Sequence, residues 1–86
     1  MLFYICNKSA EPLDINWGRH PLELSMHHGL IEPLDQDVAH DAVGMASAVQ
    51  PGERIWVVGQ TADGTTVQAD IVILEGIENV VELAGA

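Results

Sequence analysis

Residues 54–74 carry two apolar runs joined by Thr61-Ala62-Asp63-Gly64. Asp-Gly supplies the positive φ angles that a tight hairpin turn demands, so this stretch predicts a β-hairpin around which the remaining chain must build a sheet. A two-residue turn at Asp63-Gly64 sets Trp56 opposite Ile71, and a four-residue loop from Thr61 to Gly64 sets it opposite Ala69. In either register Trp56 and Val58 share a face with Val67, Ala69, Ile71 and Ile73. Ile55 and Val57 then share theirs with Gln68, Asp70, Val72 and Leu74. Trp56 is expected in the core.

Further strands are expected on both sides of the hairpin. Residues 2–6, Leu-Phe-Tyr-Ile-Cys, are aromatic and β-branched, and a polar, turn-prone stretch from Asn7 to Pro12 follows them. Leu13, Ile15 and Trp17 alternate with Asp14 and Asn16 at the period of a half-buried strand that Gly18 closes. Pro21 and Pro33 bracket another short strand, where Leu22, Leu24 and Met26 alternate with Glu23, Ser25 and His27. Residues 79–83 read as the last strand, because Gly76 and the Val80-Val81 pair disfavour a helix there.

One helix is expected, over residues 35–49. Val38, Ala42, Met45 and Val49 recur at the spacing of one helical face. Asp35 or Asp37 can cap its first turn, and Pro51-Gly52 stops it. The expected fold class is therefore α+β: a single compact domain over residues 1–86, with a mostly antiparallel sheet of four or five strands and one helix packed on it. The length of 86 residues supports one small core, because a chain of this size buries only about 60–65% of its unfolded surface.

Charge narrows the function classes. Thirteen Asp and Glu against three Lys and Arg give a formal net charge of −10. Lys8, Arg19 and Arg54 are too few and too scattered to neutralise a phosphate track, so direct nucleic-acid binding is not expected. The same charge repels anionic membranes and favours encounter with basic proteins. Residues 2–6 are far short of the ~20 apolar residues of a membrane span and have no basic stretch before them. A single cysteine, Cys6, builds no disulfide framework, which fits a reducing, cytoplasmic setting.

Motifs for chemistry are sparse. His20, His27, His28 and His40 lack the spacing of a metal site, since adjacent residues on a strand point to opposite faces and no His-Glu-x-x-His or calcium-loop pattern occurs. The pair His40-Asp41 lacks the helical bundle that a metal-dependent hydrolase centre requires. Ser9, Ser25 and Ser47 have no nucleophile-elbow context, and burial in an apolar strand leaves the Cys6 thiol inert. No glycine pattern cradles a phosphate. No cofactor, metal or enzymatic activity is expected.

An acidic surface remains. The expected partner-binding residues are Glu32, Asp35, Asp37 and Asp41 around the helix start, and Glu75, Glu78 and Glu82 near the C-terminus; Trp17 is expected in the core, and is the candidate apolar anchor where it is exposed. Carboxylates two residues apart on a strand are ~6.6 Å apart, about twice the axial phosphate repeat of one DNA strand, so a β surface can mimic nucleic acid. The function expected is a non-enzymatic acidic binding protein that docks on a basic protein or nucleoprotein complex and blocks its nucleic-acid-binding surface. Phage or mobile-element inhibitors of host defence, anti-CRISPR proteins among them, share this size and charge, an analogy that no residue motif supports. The alternative is a small virion or complex subunit that self-associates, as a homodimer or larger assembly, through sheet edges at residues 2–6 and 79–83.

Overall fold

The computed structural model describes residues 2–20, 26–33, 43–46 and 49–84. These residues form seven strands: β1 (Leu2–Asn7), β2 (Leu13–Arg19), β3 (Met26–Ile31), β4 (Val43–Ala46), β5 (Arg54–Gln60), β6 (Thr66–Val72) and β7 (Asn79–Leu83). They make a three-stranded sheet in the order β4-β1-β7 and a four-stranded sheet in the order β3-β2-β5-β6. β1 pairs antiparallel with β4 and parallel with β7, so the smaller sheet is mixed, whereas every ladder of the larger sheet is antiparallel. β7 packs near β6 without exchanging a ladder with it.

The two sheets enclose one apolar cluster. Phe3, Ile5, Val81 and Leu83 from the smaller sheet meet Leu13, Ile15, Trp17, Ile31, Ile55 and Val57 from the larger one. Alternation along each strand sends these side chains inward and their neighbours outward, the period-2 rule of a half-buried sheet. At the centre, the Phe3 and Trp17 rings stand edge to face, 5.0 Å between centroids and 80° between planes. That arrangement aligns the positive edge of one ring with the negative face of the other. The Arg19 guanidinium lies 5.8 Å from the centroid of the Trp17 ring and is paired with Glu53 at 3.4 Å, closing the rim of the core there.

The α+β expectation is overturned: the described residues contain no helix, and the fold is all-β in two sheets. Val43–Ala46, inside the stretch expected to be helical, runs as an extended strand against β1, pairing Leu2 with Ala46 and Ile5 with Val43. Residues 34–42 and 47–48 of that stretch and its flank lie outside the described residues. The physical reason is tertiary. β1 has an unpaired ladder on the side away from β7, and strand pairing there outweighs a helical preference already weakened by Gly44, which costs about 1 kcal/mol relative to alanine in a helix. β1 is consequently the centre of its sheet, not the edge expected for self-association.

The hairpin also departs from both expected registers. Its loop has five residues, Thr61 to Thr65, so Trp56 faces Asp70 and Ile55 faces Ile71. Thr61 N–H donates to Thr65 O at 2.8 Å, and Gly64, with φ of 92°, returns its N–H to Thr61 O at 3.0 Å. A one-residue change of register exchanges the faces of one strand relative to the other. Ile55 and Val57 therefore join Val67, Ala69 and Ile71 on the core side, while Trp56 and Val58 lie outside with Gln68 and Asp70. Trp56 is half-buried on the outer face, not in the core.

Gly18 does not end its strand. β2 continues to Arg19, and Gly18 sits opposite Trp56 in the ladder. A Cβ on Gly18 would fall 2.4 Å from Trp56 Cζ2, so the indole lies directly across the glycine backbone. Trp56 Nε1 is buried there without a hydrogen-bond partner among the described residues. Gly18→Ala should lift the indole from this seat and destabilise the fold by about 1–3 kcal/mol. In Trp56→Ala the same glycine substitution should cost much less, a non-additivity that urea denaturation of the single and double variants will measure.

Asn7 fixes one end of the sandwich. Its side chain is buried, and its Nδ2 donates to Glu11 O at 2.8 Å and to Ile31 O at 2.9 Å. Its Oδ1 accepts from Ser9 N at 2.9 Å, with the Ser9 hydroxyl also in range. All the hydrogen-bonding capacity of one amide is used. Asn7→Ala should leave the Ile31 and Glu11 carbonyls short of a donor and cost about 2–3 kcal/mol, seen as a lower urea midpoint at unchanged m-value.

Candidate functional site

The loops at the Asn7 end build a concave surface that holds three carboxylates, those of Glu11, Asp14 and Asp63. The β1–β2 loop, held by Asn7 and Ser9, brings Glu11 and Pro12 to this end, and the β5–β6 loop brings Thr61, Ala62 and Asp63. Between them, Asp14 at the start of β2, Leu30 near the end of β3 and Gln60 at the end of β5 complete a cleft of about 490 Å³. A second hollow of about 560 Å³, lined by Lys8, Ser9, Leu13, Thr65 and Val67, adjoins it and shares Glu11, Thr61 and Asp63. Leu30 is 65% exposed beside these carboxylates, an apolar spot in an acidic rim.

Each carboxylate has a distinct setting. Asp63 accepts hydrogen bonds from the Thr61 hydroxyl and from Thr65 N–H at 3.1 Å. The Thr61 hydroxyl, and after it the Thr65 N–H, hold the Asp63 carboxyl below its ordinary pKa of 3.8 by stabilising the charged form. Asp14 Oδ1 lies 2.6 Å from His27 Nε2, a contact exposed on both sides. Glu11 is exposed; Arg19 and Arg54 lie at the far end of the larger sheet, engaged by Glu53 and Asp70, while Lys8 lines the adjoining hollow with Glu11 and Asp63.

A different hollow, about 390 Å³, lies on the outer face of the larger sheet between His20, Trp56, Val58, Gln68 and Asp70. Its one carboxylate, contacted by Arg54 at 3.8 Å and by His20 at 3.6 Å, stands alone in this hollow with no second acid beside it. Among the described residues, no three His, Cys, Asp or Glu converge as metal ligands, and no helix is long and apolar enough to cross a membrane.

The residues expected from sequence scatter. Asp35, Asp37 and Asp41 lie outside the described residues. Glu75 and Glu78 are exposed in the β6–β7 connection, at the end of the sandwich where Asn79 pairs with Phe3. Glu32 is exposed at the other end, directly after Ile31, and Glu82 is exposed on the outer side of β7 opposite Cys6. These four do not share one face. Trp17 is 2% exposed and belongs to the core, so it is not presented to a partner.

No described strand carries two carboxylates at alternate positions: β2 has Asp14, β6 has Asp70 and β7 has Glu82. The phosphate-like spacing expected of a β surface is therefore not built from these strands. Glu11 on the β1–β2 loop and Asp14 at the start of β2 are joined instead by Asp63 of the β5–β6 loop, about fifty residues away in sequence, a convergence that the linear order does not announce. The one local signal was Asp63-Gly64, which marks a turn and not a site.

Because the hydrogen-bonded form of Asp63 is the ionised one, its stabilising contribution to the loop is complete above its unfolded pKa and disappears as pH falls through the lower folded value. NMR titration of the side-chain carboxyl should give a midpoint below 3.8, and Thr61→Val should return that midpoint towards 3.8. Comparison of the chain with family models, with curated proteins and with solved structures finds no match in any of the three.

Proposed function

We propose that this protein is a non-enzymatic acidic binding module that docks on a basic protein surface through the cleft between its β1–β2 and β5–β6 loops, and so occludes a nucleic-acid-binding site on that partner. The observation that carries this reading is the convergence of Glu11, Asp14 and Asp63 around the exposed Leu30. A cluster of carboxylates beside an apolar spot suits an Arg or Lys whose aliphatic stem packs on Leu30 while its charged head meets the acids. The net charge of −10 extends that preference over long range, steering a cationic surface toward the chain at low salt.

The carboxylates offered are single ones, two on loops and Asp14 at a strand start, so the fit is to individual cationic side chains on a protein, not to a regular groove that expects phosphates at fixed intervals. Competition with nucleic acid then arises because both ligands need the same partner Lys and Arg residues. Released counterions make such docking salt-sensitive.

The test is capture on the immobilised chain from nuclease-treated lysate at low salt, followed by elution with a salt step or with added DNA or RNA. The expected result is a nucleic-acid-binding protein that both treatments release and that Glu11→Gln/Asp14→Asn/Asp63→Asn retains about tenfold more weakly or worse. Equal retention by the triple variant, or partners that resist the salt step, would remove this cleft as the docking site.

A further inference from the structure

We infer that β6 is a self-association edge through which two copies of this chain pair antiparallel about a two-fold axis at Ala69, joining their larger sheets into one continuous sheet. β6 is hydrogen-bonded on one side only, by β5; β7 packs near it but makes no ladder with it. Thr61 N–H to Thr65 O at one end, and Ile73 N–H to Glu53 O at the other, are hydrogen-bonded positions of the hairpin. Since such positions alternate in an antiparallel ladder, Val67, Ala69 and Ile71 bond to β5, while Thr66, Gln68, Asp70 and Val72 aim their N–H and C=O groups at the open side.

The other edges are less able to pair. β3 is interrupted by a register shift between Ile15 and Asn16 of its partner, β4 has four residues and β7 has five. β6 runs for seven residues without proline, lysine or bulge, and its single charge, Asp70, is contacted by Arg54 of β5. On its core side Val67, Ala69 and Ile71 pack against the apolar cluster yet are only partly buried, so a second strand alongside would cover the apolar surface left over.

Parity and charge together select the register. The outward-aimed residues of one copy must face those of the other, which also keeps core faces aligned with core faces. Among the registers that satisfy this, centring on Asp70 would set the two Asp70 carboxylates side by side. Centring on Ala69 pairs all seven residues: Thr66 with Val72, Val67 with Ile71, and Gln68 with Asp70 of the second copy. The Gln68 amide then donates to the opposing carboxylate on the outer face, and the occupant of this edge is a second copy because β6 is complementary to itself reversed.

Sedimentation equilibrium of the full chain tests this. The expected result is a dimer of twice the 9.3 kDa chain mass that tightens as salt rises, since salt screens two charges of −10. Basic-partner docking shifts the opposite way with salt, so the two proposals fail separately. Gln68→Pro removes an outward N–H without touching the β5 ladder and should leave a folded monomer.

Two charge variants keep the test sharp even where proline perturbs the fold. Gln68→Lys should tighten the dimer about tenfold by facing Asp70 of the second copy, and Gln68→Glu should loosen it about tenfold. Ala69→Cys, at a closely spaced pair on the axis, should form an intermolecular disulfide under mild oxidation that the wild-type chain does not. A chain monomeric up to about 1 mM, or a dimer indifferent to both charge variants, overturns the assignment.

Discussion

The side chain of Asn7 is where the two sheets and the acidic loops become one object. It leaves the end of β1 in the smaller sheet, reaches the Ile31 carbonyl at the end of β3 in the larger one, and gathers Ser9 and Glu11 on the way. Apolar contacts hold the sheets face to face but are indifferent to small sliding, because the hydrophobic effect is non-directional. A buried amide with each donor and acceptor matched is directional, and it permits one relative position of strand ends. The placement of Glu11 beside Asp14 and Asp63 follows from that position.

The strands were legible where alternation or β-branched runs were strong: residues 2–6, 13–17, 54–60 and 79–83 all lie in observed strands. Two errors had definite physical origins. The periodicity of Val38, Ala42, Met45 and Val49 fits one face of a helix, but the residues around Gly44 answer to β1, whose free ladder lies far away in sequence. In the hairpin, Thr65 was counted as strand. It instead closes the loop through its N–H to Asp63 and its carbonyl to Thr61, and that single residue exchanges the faces of Trp56 and Ile55.

The candidate site was less legible than the fold. Composition gave the excess of acid correctly, but runs of acid in sequence, such as Glu75, Glu78 and Glu82, lie along the chain without converging on the cleft. Glu11, Asp14 and Asp63 meet because β1–β2 and β5–β6 loops open at the same end of a sandwich, a consequence of strand order. Both tryptophans were expected in the core, and only Trp56 departs from it, for a similar reason. Trp17 packs edge-on against Phe3 in the core, whereas Trp56 lies across a glycine on the outer surface.

The parallel pairing of β1 with β7 has a consequence for how the protein comes into being. Phe3 is in register with Asn79 and Ile5 with Val81, so one flank of β1 stays open until β7 has been synthesised. During translation the larger sheet can zip from its hairpins, while Phe3 and Ile5 wait with their ladder half made. Contacts this distant in sequence slow the final closure relative to local hairpin formation. Throughout that interval, the nascent chain presents an apolar strand with an unsatisfied side, the species on which a chaperone or an unwanted neighbour would first act.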